Sequence, residues 1–422
     1  MVQKPMLEGV RILAAEQYGA GPFGTMFLAD LGAEVIKIEN PGDGGDVSRM
    51  VGPHFHAGLP ETARSVFFQS FNRSKKSITL DLSRPAGQAV FRRLAANADA
   101  VASNMRGDVP AKLGITYPQL AAANPKIVCA HLTGYGREGE RAAWPGYDFM
   151  MQAEAGYFHL TGEPDSAPAR CGLSLVDLMT GVVLATALLA ALHAANRDGR
   201  GRDVDVSLFD LALSNLRYIG DWYLNTGAAT GRIARSAHAS ITPCQSYRTR
   251  DGWIYLMCNK EKFWGELCRK IGRPEWIDDA RFRRFPDRLQ HRVLLTELID
   301  EALQARTTDE WLADFAGSVP AAPIYDVTQA LENPWVKGSE RIDSRHAAQD
   351  EEDHHADAEQ DQPEERQSSE HIRDEAHGVI PGERTVRRQL TEMTAEDSLL
   401  PQGRKVETLI RGVVVEALDR GP

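Results

Sequence analysis

The 422-residue sequence predicts an α/β fold, with a large domain on a doubly wound parallel sheet and a smaller α+β domain after it. Three observations predict it. Short β-branched or small apolar runs alternate with helical patterns through the first half, an order that reads βαβα. From about Arg232 the pattern changes to a hairpin-like pair followed by helices. The chain is also longer than a single hydrophobic core usually holds.

Taken in order, residues 10–14, 35–38, 100–102, 127–132 and 204–208 read as buried strands, and 21–31, 85–96, 117–123 and 178–196 as the helices between them. Pro22 sits where a first helical turn tolerates it, and Gly32 ends that helix. Residues 77–82 are strand-like. In the second domain, 244–249 and 253–258 form a hairpin around Arg250-Asp251-Gly252, with helices over 263–271, 289–305 and 309–315. The domains are therefore 1–225 and 226–343. Residues 344–422 form an atypical acidic segment, opening near Gln349-Asp350-Glu351-Glu352-Asp353-His354-His355. Its first part has almost no large apolar side chains, so burial there cannot offset chain entropy and disorder is expected. Residues 406–418 hold enough Val, Leu and Ile for one short helix or strand.

Composition narrows the function. The net charge of -11 argues against nucleic-acid binding, which needs a basic face. Five cysteines, odd in number, widely spaced and without a C-x-x-C pair, indicate neither a disulfide framework nor a zinc site. Residues 1–9 lack a signal-peptide pattern, and no run of about 18 uncharged apolar residues reads as a membrane span. The nearest candidate, 178–195, is rich in Ala and Gly and reads as a buried core helix. The expectation is a soluble, cytoplasmic protein with no membrane or nucleic-acid partner.

The chemistry centres on Asp177, which closes the apolar run 172–176 and opens a long apolar helix. A carboxylate at a strand's end and a helix's start lies where open α/β sheets bind ligands. From position alone it reads as a helix cap; by chemistry it is an ionised carboxylate able to attack a thioester carbonyl and form a covalent intermediate. Glycines cluster at two other strand ends, Gly19-Ala20-Gly21-Pro22 and Gly134-Tyr135-Gly136, where backbone N–H groups can approach a phosphate or an oxyanion. Each also reads as an ordinary tight turn. Arg73, Lys75 and Lys76 read as phosphate-facing point charges or as a solvated rim. Tyr147 and Asp148 read as an acid/base pair or, more simply, as a capping interaction. No metal site is expected, since His354 and His355 lie in the acidic segment and His131 and His159 are isolated.

Together these residues resemble a known family over Gly9 to about Ile342. Gly9-Val10-Arg11-Ile12-Leu13, then Ala20-Gly21-Pro22, then Leu28-Ala29-Asp30-Leu31-Gly32-Ala33-Glu34-Val35-Ile36-Lys37-Ile38-Glu39 look like the opening of the formyl-CoA transferase and carnitine CoA-transferase (CaiB/BaiF) family. Phe71-Asn72-Arg73-Ser74-Lys75-Lys76, Asn104 with Lys112-Leu113-Gly114, Pro145-Gly146-Tyr147-Asp148 and Gly199-Arg200-Gly201 continue it.

The resemblance implies a Rossmann-like CoA-binding large domain, a small domain and a homodimer of interlinked chains. It implies CoA or acyl-CoA as substrate, a small carboxylic acid as partner, and no permanently bound cofactor. Asp177 matches the aspartate that carries the transfer through a mixed anhydride and an aspartyl-CoA thioester. Asn72, Arg73, Ser74, Lys75, Asn104, Met105, Lys112, Thr133, Gly134, Tyr135 and Gly136 would line the CoA site, with Gly19, Ala20 and Asn40 at the nucleotide end. Some members carry Gln where Gly19 stands and Arg where Asn40 and Lys112 stand. Beyond Asp343 family members return to the large domain, whereas this chain enters its acidic segment. Related 2-methylacyl-CoA racemases place a histidine at the position of Tyr147, so Tyr147 points to transfer. The alternatives are a racemase, a non-catalytic CoA-binding protein, and thioester hydrolysis as a side reaction.

Overall fold

A computed structural model of the chain describes residues 4–337. The expectations for 344–422 lie outside the described residues. Among the described residues the chain divides into two compact units, one joining residues 4–155 with Gly172–Arg217, the other joining Gly156–Cys171 with residues 218–337. Arg232 ties the stretch before Cys171 to the second unit by donating to the carbonyls of Glu163, Ser166 and Ala167.

The first unit begins with β1 (Arg11–Ala15), α1 (Ala20–Asp30), β2 (Glu34–Glu39), α2 (Val66–Asn72), β3 (Lys75–Thr79), α3 (Pro85–Ala95) and β4 (Ala100–Ser103). It continues with α4 (Val109–Leu113), α5 (Tyr117–Leu120), β5 (Val128–Thr133) and α6 (Asp148–Glu154). After α7 (Tyr157–Leu160) of the second unit come α8 (Leu175–Asp198), β6 (Arg202–Ser207) and α9 (Leu208–Ser214). The expected boundary at 225–226 lies within the next helix, α10 (Arg217–Thr226).

All six strands of the large sheet run parallel in the order β3-β2-β1-β4-β5-β6. The α/β expectation holds. Its central strands are buried on both faces, which is why they read as continuous apolar runs: Ile12, Leu13, Ala100, Val101, Ala102, Val128, Cys129 and Ala130 have no exposed surface. One face packs Leu13, Val101 and Cys129 with Phe91 and Ala95 of α3 and Leu120 of α5. The other carries α1 and α8, which lie against each other. β1 is flanked by β2 on one side and β4 on the other, so the winding reverses between β1 and β4 and opens a crevice at their carboxyl ends.

Helix α8 is long and apolar enough to cross a membrane by length and composition, and half of that apolar stretch is buried within the fold. Gly199 ends it in the left-handed conformation (φ 70°). Two glycines set how closely α8 meets α1. A Cβ on Gly24 would stand 2.4 Å from the Gly181 carbonyl oxygen, and one on Gly181 would stand 2.5 Å from that of Ala20.

The reading of 172–176 as an apolar run ending on a strand is overturned. Helix α8 already begins at Leu175, and Leu173 is 63% exposed, so the run has no sheet neighbour to bury it. The β3 strand starts at Lys75, two residues before the strand-like stretch expected, because its polar sequence at the sheet edge hides it.

In the second unit β7 (Cys244–Arg248) and β8 (Trp253–Met257) form the expected hairpin. The helices α11 (Glu261–Lys270), α12 (Phe285–Gln290), α13 (Arg292–Leu303) and α14 (Thr308–Phe315) follow. Strand β9 (Ala321–Pro323), not expected from the sequence, pairs with β8, and α15 (Val327–Glu332) and α16 (Pro334–Lys337) end the described chain. The helix expected over 289–305 is interrupted at His291, which separates α12 from α13. Trp264, Phe282, Leu295, Ile299 and Trp311 fill this unit's core.

The glycine crossing makes a direct test. Gly181→Val forces side-chain atoms into the Ala20 carbonyl, and overpacking of this kind costs about 1–3 kcal/mol. Thermal unfolding should show a lowered Tm with far-UV circular dichroism unchanged at 20–25 °C; an unaltered Tm would mean that the helices separate without cost.

Candidate active site

The two sides of the crevice at the carboxyl ends of β1 and β4 are bridged by Asn104. Its Oδ1 accepts from Gln17 N–H at 2.8 Å, and its Nδ2 donates to the Gln17 carbonyl at 2.6 Å. The segment leaving β1 is thereby clamped to the segment leaving β4. From below, Asp46 Oδ1 accepts the Tyr18 N–H at 3.1 Å, and Lys37 Nζ donates to the Glu16 carbonyl at 3.0 Å. Tyr18 is held at φ 69°, an uncommon conformation for a residue with a Cβ, and its ring rests on Phe67.

Asp177 comes to the same place from α8. A Cβ on Gly19 would stand 2.9 Å from Asp177 Oδ2, so the carboxyl lies against the backbone just before α1. Asp177 is the third residue of α8, and Ser174 takes the capping position. The acceptor for the Asp177 N–H is Asp148 Oδ2, 2.8 Å away. Asp148 opens α6 immediately after Gly146 and Tyr147. That segment passes close to the glycine loop after β5, for a Cβ on Gly146 would lie 2.5 Å from Gly134 Cα.

The electrostatics of this arrangement correct one expectation. The start of a helix should keep a carboxylate ionised. Burial instead pushes the Asp177 carboxyl up to about 7, and the Asp148 charge adds to the shift. The carboxyl therefore changes charge near neutrality, and it faces a crevice whose other wall, the first turn of α1, leads with N–H groups that the helix cannot satisfy internally.

The remaining expected residues divide into three groups. Gly19 and Ala20 lie at the start of α1, beside Asp177 and against Gly181. Thr133, Gly134, Tyr135 and Gly136 form the turn after β5: Thr133 Oγ1 accepts the Gly136 N–H, the Gly134 carbonyl accepts the Phe209 N–H, and the Tyr135 hydroxyl donates to Glu154. The others are engaged in the scaffold. Asn72 donates to the Phe68 carbonyl, Arg73 pairs with Asp30, Asn40 caps its own turn at Gly42, Lys112 pairs with Asp108, and Met105 packs on the sheet core. Ser74, at φ 61°, links Arg73 to β3.

Lys75 is buried, with Nζ 2.8 Å from Glu16 Oε1 and 2.8 Å from the Pro22 carbonyl. Burial pulls it down to about 8 against the attraction of Glu16. Sequence reasoning did not find Glu16, Gln17 or Gln152. An acid directly after the apolar stretch 12–15, as at Glu16, was the signal that could have found the first.

The family described as CoA-transferase family III matches residues 7–358. The succinate–glutarate CoA-transferase of Agrobacterium fabrum is 35% identical over 337 residues, 79% of this chain and 84% of the relative. The acetyl-CoA:oxalate CoA-transferase of Acetobacter aceti is 35% identical over 333 residues, 78% of this chain and 84% of the relative. Among solved structures, a CaiB/BaiF family protein from Brucella suis is 35% identical with a TM-score of 0.69, covering 80% of this chain and 88% of that one. The Rv3272 protein of Mycobacterium tuberculosis is 32% identical with a TM-score of 0.71, at the same coverage.

The Asp177 shift has a consequence for stability. A carboxyl whose folded value is raised to about 7 from its ordinary 3.8 favours folding fully below about 3.8, and that contribution is lost as pH rises through about 7. Asp177→Asn should therefore gain several degrees of Tm over wild type at pH 8 and little at pH 4. A gain independent of pH would place the Asp177 carboxyl at an ordinary value.

Proposed function

Because the chain belongs to CoA-transferase family III, we propose that it moves CoA from an acyl-CoA to a free carboxylic acid through covalent intermediates on Asp177. The observation that carries this reading is the placement of the Asp177 carboxyl against Gly19 at the sheet's switch point, where a thioester can be presented to it.

The ionised Asp177 attacks the thioester carbonyl and expels CoA thiolate, giving an aspartyl–acyl mixed anhydride. The thiolate attacks the aspartyl carbonyl, which releases the donor acid as its carboxylate and leaves an aspartyl-CoA thioester. The acceptor carboxylate attacks that thioester, forming a second mixed anhydride and freeing the thiolate. Attack of the thiolate on the acceptor's acyl carbonyl yields the new acyl-CoA and restores Asp177. No net proton or electron is exchanged. Each tetrahedral intermediate carries an oxyanion, and the first turn of α1, at Ala20 and Gly21, faces it with a partial positive charge.

The relatives are named for the dicarboxylic acids succinate, glutarate and oxalate, and one of them also for acetyl-CoA; we extend the dicarboxylic class to this chain, with succinyl-CoA as donor. Tyr147 favours transfer over racemisation. It stands where the racemases have a histidine, and its phenol, 61% exposed, replaces the second acid/base group that proton exchange at Cα requires. An interlinked homodimer belongs to the same proposal. The apolar side chains of Met179 and Val182 on α8 and Leu213 on α9 are exposed, as surfaces awaiting a second copy would be. Light scattering should give twice the chain mass, and a monomeric mass at micromolar protein would remove the dimer from the proposal.

Incubation with succinyl-CoA followed by hydroxylamine should convert Asp177 to its hydroxamate, located by peptide mass spectrometry, and Asp177→Ala should lose both the adduct and at least about a thousandfold in kcat. CoA binding without any adduct, across a panel of acyl-CoAs, would exclude the aspartyl route.

A further inference from the structure

Helix α8 presents its first-turn N–H groups at the site, and its own capping residue leaves them unserved. Ser174 makes no side-chain capping bond. The acceptor comes from α6, where Asp148, only 4% exposed, reaches the Asp177 N–H with Oδ2 and takes Gln152 Nε2 on Oδ1 at 2.6 Å. Gln152, buried itself, also donates to the Leu173 carbonyl at 3.1 Å. One turn of α6 thus grips the segment entering α8 at two points, Leu173 and Asp177.

This grip decides where the Asp177 side chain goes. An acid at the third position of a helix ordinarily folds back onto the helix start, where free N–H groups and the dipole attract it. Asp148 already occupies that position, and a second carboxylate cannot share it without repulsion. The Asp177 carboxyl turns instead toward Gly19, on the wall formed by α1. Other charged or titratable groups lie on the elements packed against α8, namely Asp30 on α1, Cys129 and His131 on β5, Glu154 on α6, Arg202, Asp203 and Asp205 on β6, and Asp210 on α9. Asp148 is the one whose charge acts on Asp177.

We propose that Asp148 is a positioning residue of the transfer site: by capping α8 at the nucleophile's own N–H, it claims the helix terminus and holds the Asp177 carboxyl out toward the incoming thioester. The proposal rests on Asp177 being the nucleophile, and its test separates the two ideas.

Asp148→Asn keeps the shape and one acceptor oxygen but removes the charge; Asp148→Ala removes both. The readouts are the pH dependence of kcat/KM for acyl-CoA, the KM, and the rate at which the hydroxylamine-trapped adduct forms on Asp177. For Asp148→Asn the acid limb should move to lower pH, with KM unchanged. For Asp148→Ala adduct formation should slow by about tenfold to a hundredfold, as expected when a reacting group is misplaced by a fraction of an ångström to an ångström, again with little change in KM. If the alanine variant does not fold, the asparagine variant decides alone. Adduct on Asp177 with wild-type rates and pH profiles in the variants overturns the positioning role and leaves the nucleophile standing. No adduct on Asp177 in the wild type overturns both.

Discussion

The site depends on two glycines that meet no substrate. At Gly24 and Gly181 helices α1 and α8 touch backbone to backbone, closer than any side chain allows. One helical turn before Gly24 is Ala20, the first residue of α1; one turn before Gly181 is Asp177. Fixing the crossing therefore fixes the two helix starts relative to each other, and with them the distance from the Asp177 carboxyl to Gly19. Helices separated by ordinary side chains pack 8–10 Å apart, and that spacing would draw Asp177 out of the crevice. The small residues around this crossing serve geometry, and the stability of α8 comes from elsewhere, from the burial of Val176, Leu184, Leu188 and Ala191.

A second constraint is charge at the carboxyl ends of β1 and β2 and the start of β3. Three acids, Glu16, Glu39 and Asp46, are buried with three bases, Lys37, Arg49 and Lys75, paired as Lys75–Glu16, Lys37–Asp46 and Arg49–Glu39. Such pairs add little net stability over apolar packing, yet removing one partner leaves a buried charge and costs about 3–5 kcal/mol. What this cluster gains is position. Asp46 holds the Tyr18 N–H and Lys37 holds the Glu16 carbonyl, so the segment 16–19 is pinned from the sheet while Asn104 pins it from β4. Preorganised backbone of this kind is what a reaction with successive oxyanions needs, because the dipoles are oriented before the charge appears.

The parts of the fold that were legible in the sequence are those where burial is symmetrical. The central strands, covered on both faces, show as apolar runs whatever their neighbours; β3, at the edge, begins Lys75-Lys76-Ser77 and carries no such signal. The run 172–176 misled because three apolar residues read the same before a helix as in a strand. In the site, Asp177 and Gly19 could be singled out because each lies near a helix start beside residues that resemble the family, although Gly19 itself stands where some members carry Gln. The burial of Lys75 was not, since its partner Glu16 is 59 positions away; nor was the Asp148 grip, which spans 29. Local pattern locates groups that act alone, and these act in pairs set by topology.

The pairing also bears on why a buried carboxyl suits the proposed reaction. The upward shift of Asp177 measures how strongly the site prefers it neutral, at about 1.4 kcal/mol for each pKa unit. A proton is one way of making it neutral; an acyl group or CoA is another. The burial and the Asp148 charge that disfavour the free carboxylate disfavour neither the mixed anhydride nor the aspartyl thioester, which are uncharged at Asp177. The site thus raises the ground state of the nucleophile relative to both covalent intermediates, which favours their formation from either acyl-CoA and opposes the final release of the Asp177 carboxylate by the same amount. Below neutrality protonation competes for the carboxyl, so its advantage grows with pH until the carboxyl is fully ionised.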